Sequence, residues 1–374
     1  MRAEAIAAMQ PFLAGEFGNP SGGHRAAAAA KTALEEAREA VAGLLGAAPA
    51  EVVFTAGGTE ADNLAVKGAA RAARARGNGD GVVTARFEHK GVLASCDRLA
   101  SEGFRVTRVG AGTDGIVDVD ALLAAVDTDT VVVSLMLVNN EVGTVQPLAE
   151  VVEQVRQRAP RAVVHTDAVQ AVPWLDVAAA TAGVDLVAIS AHKFGGPKGT
   201  GALVVRGGAP LEPLVEGGGQ ERGLRSGTSN VAGAVAMAAA LRATCDARDA
   251  DASRITAMRD RLCDGLLAVP DAFENGDRRR KVAGNAHLGF RGVEAEALLL
   301  LLDAEGVFAA AGSSCSSGAT EPSHVLEAMG VPRDDALASV RLSLGFASTD
   351  ADVDAALAVI PDAVATLRAA GVAA

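Results

Sequence analysis

The sequence predicts an α/β protein whose larger part is a mostly parallel β-sheet packed between helices. Seven short apolar segments alternate with stretches of helical periodicity over the first 205 residues. Such alternation is typical of strands joined by helical crossovers, which cover both faces of a parallel sheet. Several segments run directly into glycine-rich or polar turns, where open α/β sheets bind their ligands. The seven predicted strands cover residues 51–55, 81–84, 104–109, 130–138, 162–165, 185–190 and 201–205.

Length and pattern divide the chain into two predicted domains. Its 374 residues exceed one ordinary hydrophobic core. Apolar spacing predicts a helix over 26–45, another that starts after a glycine turn and runs to about residue 76, and helical structure throughout 231–267. Strand-like and helical patterns then alternate to the end of the chain. We therefore expect a large domain at 1–246 and a smaller α+β domain at 247–374.

Composition narrows the classes of partner. The net charge of −12 disfavours a general polyanion-binding surface, so no direct nucleic-acid partner is predicted. No apolar run reaches the length of about 18 residues that a transmembrane helix needs. The first residues also lack the charged and apolar pattern of a secretion signal. We expect a cytoplasmic protein without a membrane partner.

The four cysteines are widely spaced, and only one has a context that favours reactivity. No C-x-x-C pair is present, so neither a zinc site nor a resident cluster is predicted, and a disulfide framework is not expected. Cys96, Cys245 and Cys263 fit core or helix positions. Cys315 lies in AAGSSCSSGAT, whose glycine and serine content favours a mobile, reactive thiol over a packed one.

Lys193 directly follows the predicted strand 185–190, in the run S-A-H-K. A lysine at the carboxyl end of a strand lies where such sheets bind ligands, which suits Schiff-base chemistry. Ser190 and His192 flank it and can reach a phosphate from a tight turn. Lys198 is the competing lysine.

Three further strand exits carry side chains that suit a phosphorylated ring. Thr59 follows two glycines at a predicted helix start, which suits a phosphate but also an ordinary helix cap. An ionised Asp167 would keep a pyridine nitrogen protonated, although a turn cap is an equal explanation. Gln170 could meet a phenolic oxygen. His89 could lie flat on the ring, or simply pack.

Carboxylate recognition has three candidates. Arg341 lies in a strand-like segment of the predicted small domain, and a guanidinium grips a carboxylate bidentately. Arg225 is the second arginine, and a surface salt bridge would explain either one. Asn140 follows another predicted strand and could donate to a ring oxygen or to a carboxylate, or could form a turn.

Taken together, these segments resemble the pyridoxal-phosphate-dependent cysteine desulfurases of fold type I, in the class V aminotransferase family. The resemblance is closest to the group that supplies sulfur for iron–sulfur clusters and thionucleosides, and it runs almost end to end. It is carried, in order, by FGNPSGGH, FTAGGTEADNLAVKG, EHKGV, VNNEVGTVQP, HTDAVQ, SAHKFGGPKG, GGGQERGLRSGT, GSSCSSG and RLSLG.

The resemblance implies pyridoxal 5′-phosphate as cofactor, L-cysteine as substrate and a homodimer as the active form. It makes Lys193 the Schiff-base lysine, pairs Asp167 with the pyridinium nitrogen and Gln170 with the ring oxygen, and stacks His89 on the ring as a catalytic contact. The other implied contacts are Gly58, Thr59, Ser190 and His192 with the phosphate, Thr228 with the phosphate across the dimer interface, and Asn140 and Arg341 with the substrate carboxylate, Asn140 also lying beside the cofactor.

The implied reaction converts L-cysteine to L-alanine. The amine of Lys193 removes the α-proton, and the thiolate of Cys315 attacks the substrate sulfur and becomes a persulfide. An iron–sulfur scaffold or a transfer-RNA thiolation enzyme would then take the sulfur. The resemblance implies no resident metal, and Cys315 is the only residue it offers as a transient cluster ligand during transfer.

Two alternatives to this function stay open, and one of them rests on a departure from the family. The chain begins just after the short strand and Asp-x-Ala-Ala-Thr-Thr-Pro turn with which the family usually opens, so about a dozen residues are expected to be missing. A non-catalytic, truncated regulatory paralogue is therefore one alternative. The other is a selenocysteine lyase or class V aminotransferase in which Cys315 is incidental.

Overall fold

A computed structural model describes residues 1–312 and 321–371, and the chain forms two compact units. The first unit comprises Met1–Val109, Val119–Leu137 and Pro147–Arg248, and the second comprises Gly110–Asp118, Val138–Gln146 and Asp249–Ala374. Two short segments before residue 246 therefore group with the carboxyl-terminal part of the chain. The boundary after Arg248 falls inside one long helix, Val231–Leu267.

The first unit is built on a seven-stranded sheet in the order β1-β7-β6-β5-β4-β2-β3. β7 is antiparallel to both of its neighbours, and the other adjacent pairs are parallel, so β7 alone runs against the rest. The prediction of a mostly parallel sheet is thus confirmed. The strands are β1 Val52–Thr55, β2 Gly81–Ala85, β3 Arg105–Val109, β4 Thr130–Ser134, β5 Val163–Asp167, β6 Leu186–Ser190 and β7 Gly201–Val205.

Helices of the first unit pack on this sheet mainly through small side chains. The helix Gly58–Ala75 buries alanines, one leucine and one valine in the core that also contains the strand valines. Because the chain has few aromatic residues, close approach of helix and sheet supplies much of the packing. The helices are α1 Ala3–Met9, α2 Arg25–Leu44, α3 Gly58–Ala75, α4 Lys90–Ser101, α5 Val119–Ala124, α6 Leu148–Arg158, α7 Val177–Ala180 and the first part of α8 Val231–Leu267.

The second unit contains an antiparallel sheet in the order β10-β9-β8. Its strands are β8 Ala272–Glu274, β9 Asn285–Phe290 and β10 Ser339–Ser343. Its helices are α9 Ala295–Ala304, α10 His324–Ala328, α11 Arg333–Leu337 and α12 Asp350–Ala369. Among the described residues, no helix combines the length and the apolar character needed to cross a membrane.

Candidate active site

The glycine turn between β1 and α3 lies against the ends of two other strands. Gly57 has φ +147°, a conformation that L side chains rarely adopt. A Cβ atom on Gly58 would lie 2.7 Å from Cγ2 of Val169 and 3.5 Å from Cβ of Ser190. The first turn of α3 leaves backbone N–H groups without intrahelical partners, and the exposed Thr59 lies in this turn, so the arrangement suits an anion.

The turn after β6 brings a hydroxyl, an imidazole and an amine together. β6 ends at the buried Ser190, whose Oγ lies 2.9 Å from Nδ1 of His192 in a hydrogen bond. Burial lowers the pKa of His192, and the positive charges of Lys193 and Lys198 lower it further. The Lys193 side chain is exposed, and the turn closes at Gly195 with φ +87°. The local sequence thus presents a lysine at the strand exit, as predicted.

Asp167 ends β5 within a buried polar cluster. Its Oδ1 accepts a hydrogen bond from the backbone N–H of Val169 at 2.8 Å. One side-chain nitrogen or oxygen atom from each of Asp62, His89 and Asp167 lies within 4.8 Å of the other two. Burial raises the pKa of Asp167 to about 7, Asp62 raises it too, and His89 opposes the shift. A cation beside Asp167 would keep its carboxyl group ionised. An ionised carboxylate is the partner that a protonated ring nitrogen requires.

His89 caps α4 next to the same cluster, because its Nδ1 accepts the backbone N–H of Gly91 at 3.1 Å. A Cβ atom on Gly91 would lie 3.3 Å from Oδ2 of Asp62 and 3.5 Å from Cγ2 of Thr59. The absence of a side chain at Gly91 therefore lets Thr59, Asp62 and His89 approach one another. Gln170 lies in the turn after β5 and is partly exposed.

Three members of this cluster were missed by the sequence analysis: Asp62, Glu88 and His165. All three are almost completely buried. A usable signal existed for Asp62, since it lies between Ala61 and Leu64 on a helix whose spacing is otherwise apolar on that face. Glu88 and His165 offered none, because strand and turn positions do not reveal which side chains converge in space.

The second unit brings Asn140 and Arg341 together. Nη1 of Arg341 donates to the backbone carbonyl of Asn140 at 2.9 Å, and the backbone of Arg341 pairs with Ala310. Burial lowers the pKa of Arg341, and Glu141 opposes that shift. Oδ1 of Asn140 and Nε of Arg341 are buried and have no hydrogen-bond partner within residues 1–312 and 321–371. Nε of Arg341 can therefore donate to a small ligand, whereas Oδ1 of Asn140 can only accept from one.

The remaining candidates have different surroundings. Thr228 is exposed and lines a cavity with Thr55 and Thr200. Nε of Arg225 donates to Oε1 of Glu60 at 2.9 Å, so this arginine already pairs with a carboxylate of its own chain. Cys315 lies outside the described residues.

The other cysteines are buried or partly buried, as predicted. Cys96 on α4 and Cys263 on α8 are buried, and Cys245 on α8 is partly exposed. Burial raises the pKa of Cys96 to about 12 and that of Cys263 to about 11. Neither buried thiol is suited to act as a nucleophile.

The residues at the sheet edge fit pyridoxal 5′-phosphate. The glycine turn and the Ser190–His192 pair suit its phosphate, the Lys193 amine suits its aldehyde, and the buried Asp167 suits its ring nitrogen. With the mostly parallel seven-stranded sheet, these features define a pyridoxal-phosphate-dependent enzyme of fold type I.

The chain belongs to the aminotransferase class-V family, whose model matches residues 1–356. It is 47% identical to an IscS-like cysteine desulfurase of Mycobacterium tuberculosis over 99% of this chain and 94% of that protein. Among solved structures, a NifS-like protein has a TM-score of 0.92 at 34% identity and covers 98% of this chain and 96% of its own. A structure described as SspA in complex with cysteine has a TM-score of 0.81 at 31% identity, with 92% and 95% covered.

Proposed function

We propose that this enzyme is a cysteine desulfurase that converts L-cysteine to L-alanine and transfers the sulfur to Cys315. The observation that carries the proposal is the meeting of the glycine turn, the lysine-bearing turn and the buried aspartate at one edge of the sheet. The choice of substrate is supported by the cysteine desulfurase relative and by the cysteine-bound structural neighbour.

The side chains divide the cofactor between them in this proposal. The first turn of α3 with Gly58 and Thr59, together with Ser190 and His192, would hold the phosphate. Asp167 would bind the ring nitrogen, Gln170 the ring oxygen and His89 the ring face, while Lys193 would bind the aldehyde carbon. Bound pyridoxal phosphate supplies the electron sink that makes the α-proton of the substrate acidic.

The protein's own groups then orient the substrate and move protons and sulfur. Arg341 would bind the substrate carboxylate through its buried Nε–H, which has no partner in the described residues, and Asn140 would donate to it from its side-chain amide nitrogen. The Lys193 amine would take the α-proton and return a proton to the carbon that loses sulfur. The Cys315 thiolate would attack the substrate sulfur, so that L-cysteine and a thiol become L-alanine and a persulfide.

The assembly and the sulfur acceptor belong to the same proposal. A homodimer would allow Thr228, exposed in one subunit, to complete the phosphate site of the other. An iron–sulfur scaffold or a transfer-RNA thiolation enzyme would take sulfur from Cys315, which is consistent with the IscS-like relative. The cytoplasmic location and the domain limits at 246 and 247 stay predictions.

The test is a mass measurement on Cys315 after one turnover. The purified chain, loaded with pyridoxal phosphate, is mixed with L-cysteine, trapped with an alkylating agent and digested, and alanine is measured in parallel. We expect the mass of one sulfur atom on the Cys315 peptide and an equivalent amount of alanine. Lys193→Ala should abolish both, and Cys315→Ala should abolish turnover.

Two outcomes would favour the alternatives. If Cys315→Ala retained full turnover with its preferred substrate, the enzyme would be a selenocysteine lyase or an aminotransferase. If the chain bound pyridoxal phosphate poorly and produced neither alanine nor persulfide, a regulatory role would be the better reading.

A further inference from the structure

Asp62 is a buried carboxyl group that the proposed reaction does not use. It is 1% exposed, and both of its oxygens lack a hydrogen-bond partner within the described parts of the chain. One titratable neighbour is His165, whose Nε2 lies 3.5 Å from Oδ1 of Asp62. An ionised carboxylate without donors is strongly disfavoured in such a place, whereas a protonated one needs only an acceptor.

His165 lies beside Asp62, but at 3.5 Å the two side chains are not hydrogen-bonded, and neither Nε2 nor either Asp62 oxygen has a partner among the described residues. Nδ1 of His165 lies 2.9 Å from Oγ of Ser134, within hydrogen-bond distance. If Nδ1 carries the proton and donates to Ser134, Nε2 is left as a lone pair facing Asp62. His165 is completely buried, and burial lowers its pKa to about 4, so the ring is neutral at ordinary pH. A neutral imidazole carries no positive charge that would offset the burial of an ionised Asp62.

The second titratable neighbour of Asp62 is Asp167. Atoms of the two carboxyl groups lie within 4.8 Å of each other in a site without solvent exposure, where two negative charges repel strongly. The two groups are not equivalent, because Asp167 accepts the N–H of Val169 and faces His89, whereas no N–H from the described residues reaches Asp62. The charge is therefore most stable on Asp167.

We propose that Asp62 is a positioning residue that stays protonated in the folded protein, beside a neutral His165, and thereby reserves the negative charge of this site for Asp167. The proposal deepens the proposed function, since the carboxylate so reserved is the one assigned to the cofactor nitrogen. Burial raises the pKa of Asp62 to about 8, in agreement with the geometry.

The titratable groups that face Asp62, which lies on α3, come from two other parts of the fold. His165 and Asp167 lie on β5, and Glu88 and His89 lie between β2 and α4. Oε1 of Glu88 accepts the N–H of Met136 at 2.6 Å, and burial raises its pKa well above the usual range. Because these neighbours are the same in an Asp62 variant, their own titration largely cancels in a comparison with the wild type.

The first test is the pH dependence of urea unfolding for the full chain without added cofactor, comparing the wild type with Asp62→Asn. A protonated Asp62 in the folded state, with an ordinary carboxyl in the unfolded state, makes the wild type lose stability as pH rises from about 4 to about 8. The asparagine side chain does not titrate in this pH range. The advantage of Asp62→Asn should therefore grow between about pH 5 and about pH 8.

A difference of the opposite slope would overturn the proposal. If Asp62 were ionised in the folded protein, its removal would cost stability throughout this range, and the variant would fall further behind the wild type as pH rises through the unfolded carboxyl pKa. Asp62→Asn nearly preserves the shape of the side chain, so a folded variant is expected.

The second test compares cofactor binding in Asp62→Asn with the matched variant Asp167→Asn at neutral pH, measured by absorbance titration with pyridoxal phosphate. We expect Asp62→Asn to remain within about threefold of the wild type and Asp167→Asn to bind at least about tenfold more weakly. The reverse ranking would place the charge on Asp62 and overturn the proposal. If even the wild type failed to bind pyridoxal phosphate, the proposed function would fail, while the urea comparison would still decide the state of Asp62.

Discussion

The hydroxyl of Ser323 donates a hydrogen bond to the carboxylate of Glu141 in the second unit. Glu141 is completely buried, and its backbone carbonyl accepts the side-chain N–H of Asn285 at 2.7 Å. A Cβ atom on Gly312 would lie 3.8 Å from the same carboxylate. Gly312 and Ser323 lie on either side of Cys315 in the sequence, so the Glu141 carboxylate is hydrogen-bonded to one of these flanking residues and lies near the other. Glu141 also adjoins Asn140, a proposed carboxylate ligand.

We predict that Ser323→Ala slows persulfide formation on Cys315. The change removes the donor from a buried carboxylate and also the cap that Ser323 provides to the N–H groups of Val325 and Leu326. Each loss costs about 1 kcal/mol. Of this combined cost, a rise of about 1.4 kcal/mol in the barrier to sulfur transfer would lower the rate about tenfold. Single-turnover mass spectrometry of the Cys315 peptide measures the rate.

Ser323→Thr is the matched control, because it keeps a hydroxyl for both contacts and should stay within about threefold of the wild type. The spectral change on L-cysteine binding to the cofactor should be preserved in both variants. A wild-type rate of persulfide formation in Ser323→Ala would contradict the prediction.

The sequence predicts where most strands end, but it does not predict which side chains from different strands lie close together. The lysine at the end of a strand could be predicted because the apolar strand and the turn that follows it lie within about ten consecutive residues. The structure agrees, since β6 ends at Ser190, three residues before Lys193. The 130–138 segment was predicted as one strand, but β4 ends at Ser134 and Val138 groups with the second unit. A continuous apolar run conceals where a strand stops.

The features that the sequence did not predict depend on contacts between residues far apart in the chain. The direction of β7 depends on a connection geometry that periodicity does not encode. Asp62 and His165 lie about a hundred positions apart, and only the packing of α3 on the sheet brings them together.

We predict that Arg38→Ala destabilises the first unit by about 3–5 kcal/mol, because it leaves a buried charge without its partner. Nη1 and Nη2 of Arg38 donate to the two carboxylate oxygens of Glu221 at 2.6 and 2.9 Å, and both side chains are buried. Oε2 of Glu221 also accepts the N–H of Phe54, and the backbone of Glu221 has φ +47°. The pair therefore holds a strained loop onto β1.

Urea unfolding followed by circular dichroism measures this loss. The matched control is Arg261→Ala, which removes exposed ion pairs with Asp350 and Asp354 and should cost less than about 1 kcal/mol. If the two variants lost equal free energy of unfolding, the buried Arg38–Glu221 pair would contribute no more to stability than an exposed ion pair.

We predict that Gly58→Ala weakens binding of pyridoxal phosphate by at least about tenfold while the protein remains folded. The added Cβ atom would lie 2.7 Å from Cγ2 of Val169, two residues after Asp167, so either the turn or the end of β5 must shift. Absorbance titration measures the affinity.

Gly43→Ala serves as the control, since Gly43 lies on α2 with open space around its Cβ position. It should leave cofactor affinity unchanged and stabilise the helix by up to about 1 kcal/mol. A Gly58→Ala protein with wild-type affinity would argue against the glycine turn as the phosphate site.

Acid should destabilise the second unit through His287. This residue is completely buried on β9, and its Nδ1 lies 3.1 Å from Nδ2 of Asn275. Burial lowers the pKa of His287 to about 3, and the positive charges of Lys281 and Arg341 add to the shift. The folded state therefore binds fewer protons than the unfolded state between about pH 6.5 and about pH 3, and stability falls as pH falls through that range.

At about pH 5 this single group should reduce the free energy of unfolding by about 2 kcal/mol relative to about pH 7. Urea unfolding of the wild type and of His287→Gln at both pH values isolates the contribution, since glutamine keeps a polar group near Asn275 but does not titrate. The variant should lose correspondingly less stability on acidification, although it starts from a lower value at neutral pH. An identical acid loss in the two proteins would mean that His287 is protonated in the fold, which its burial and its two cationic neighbours oppose.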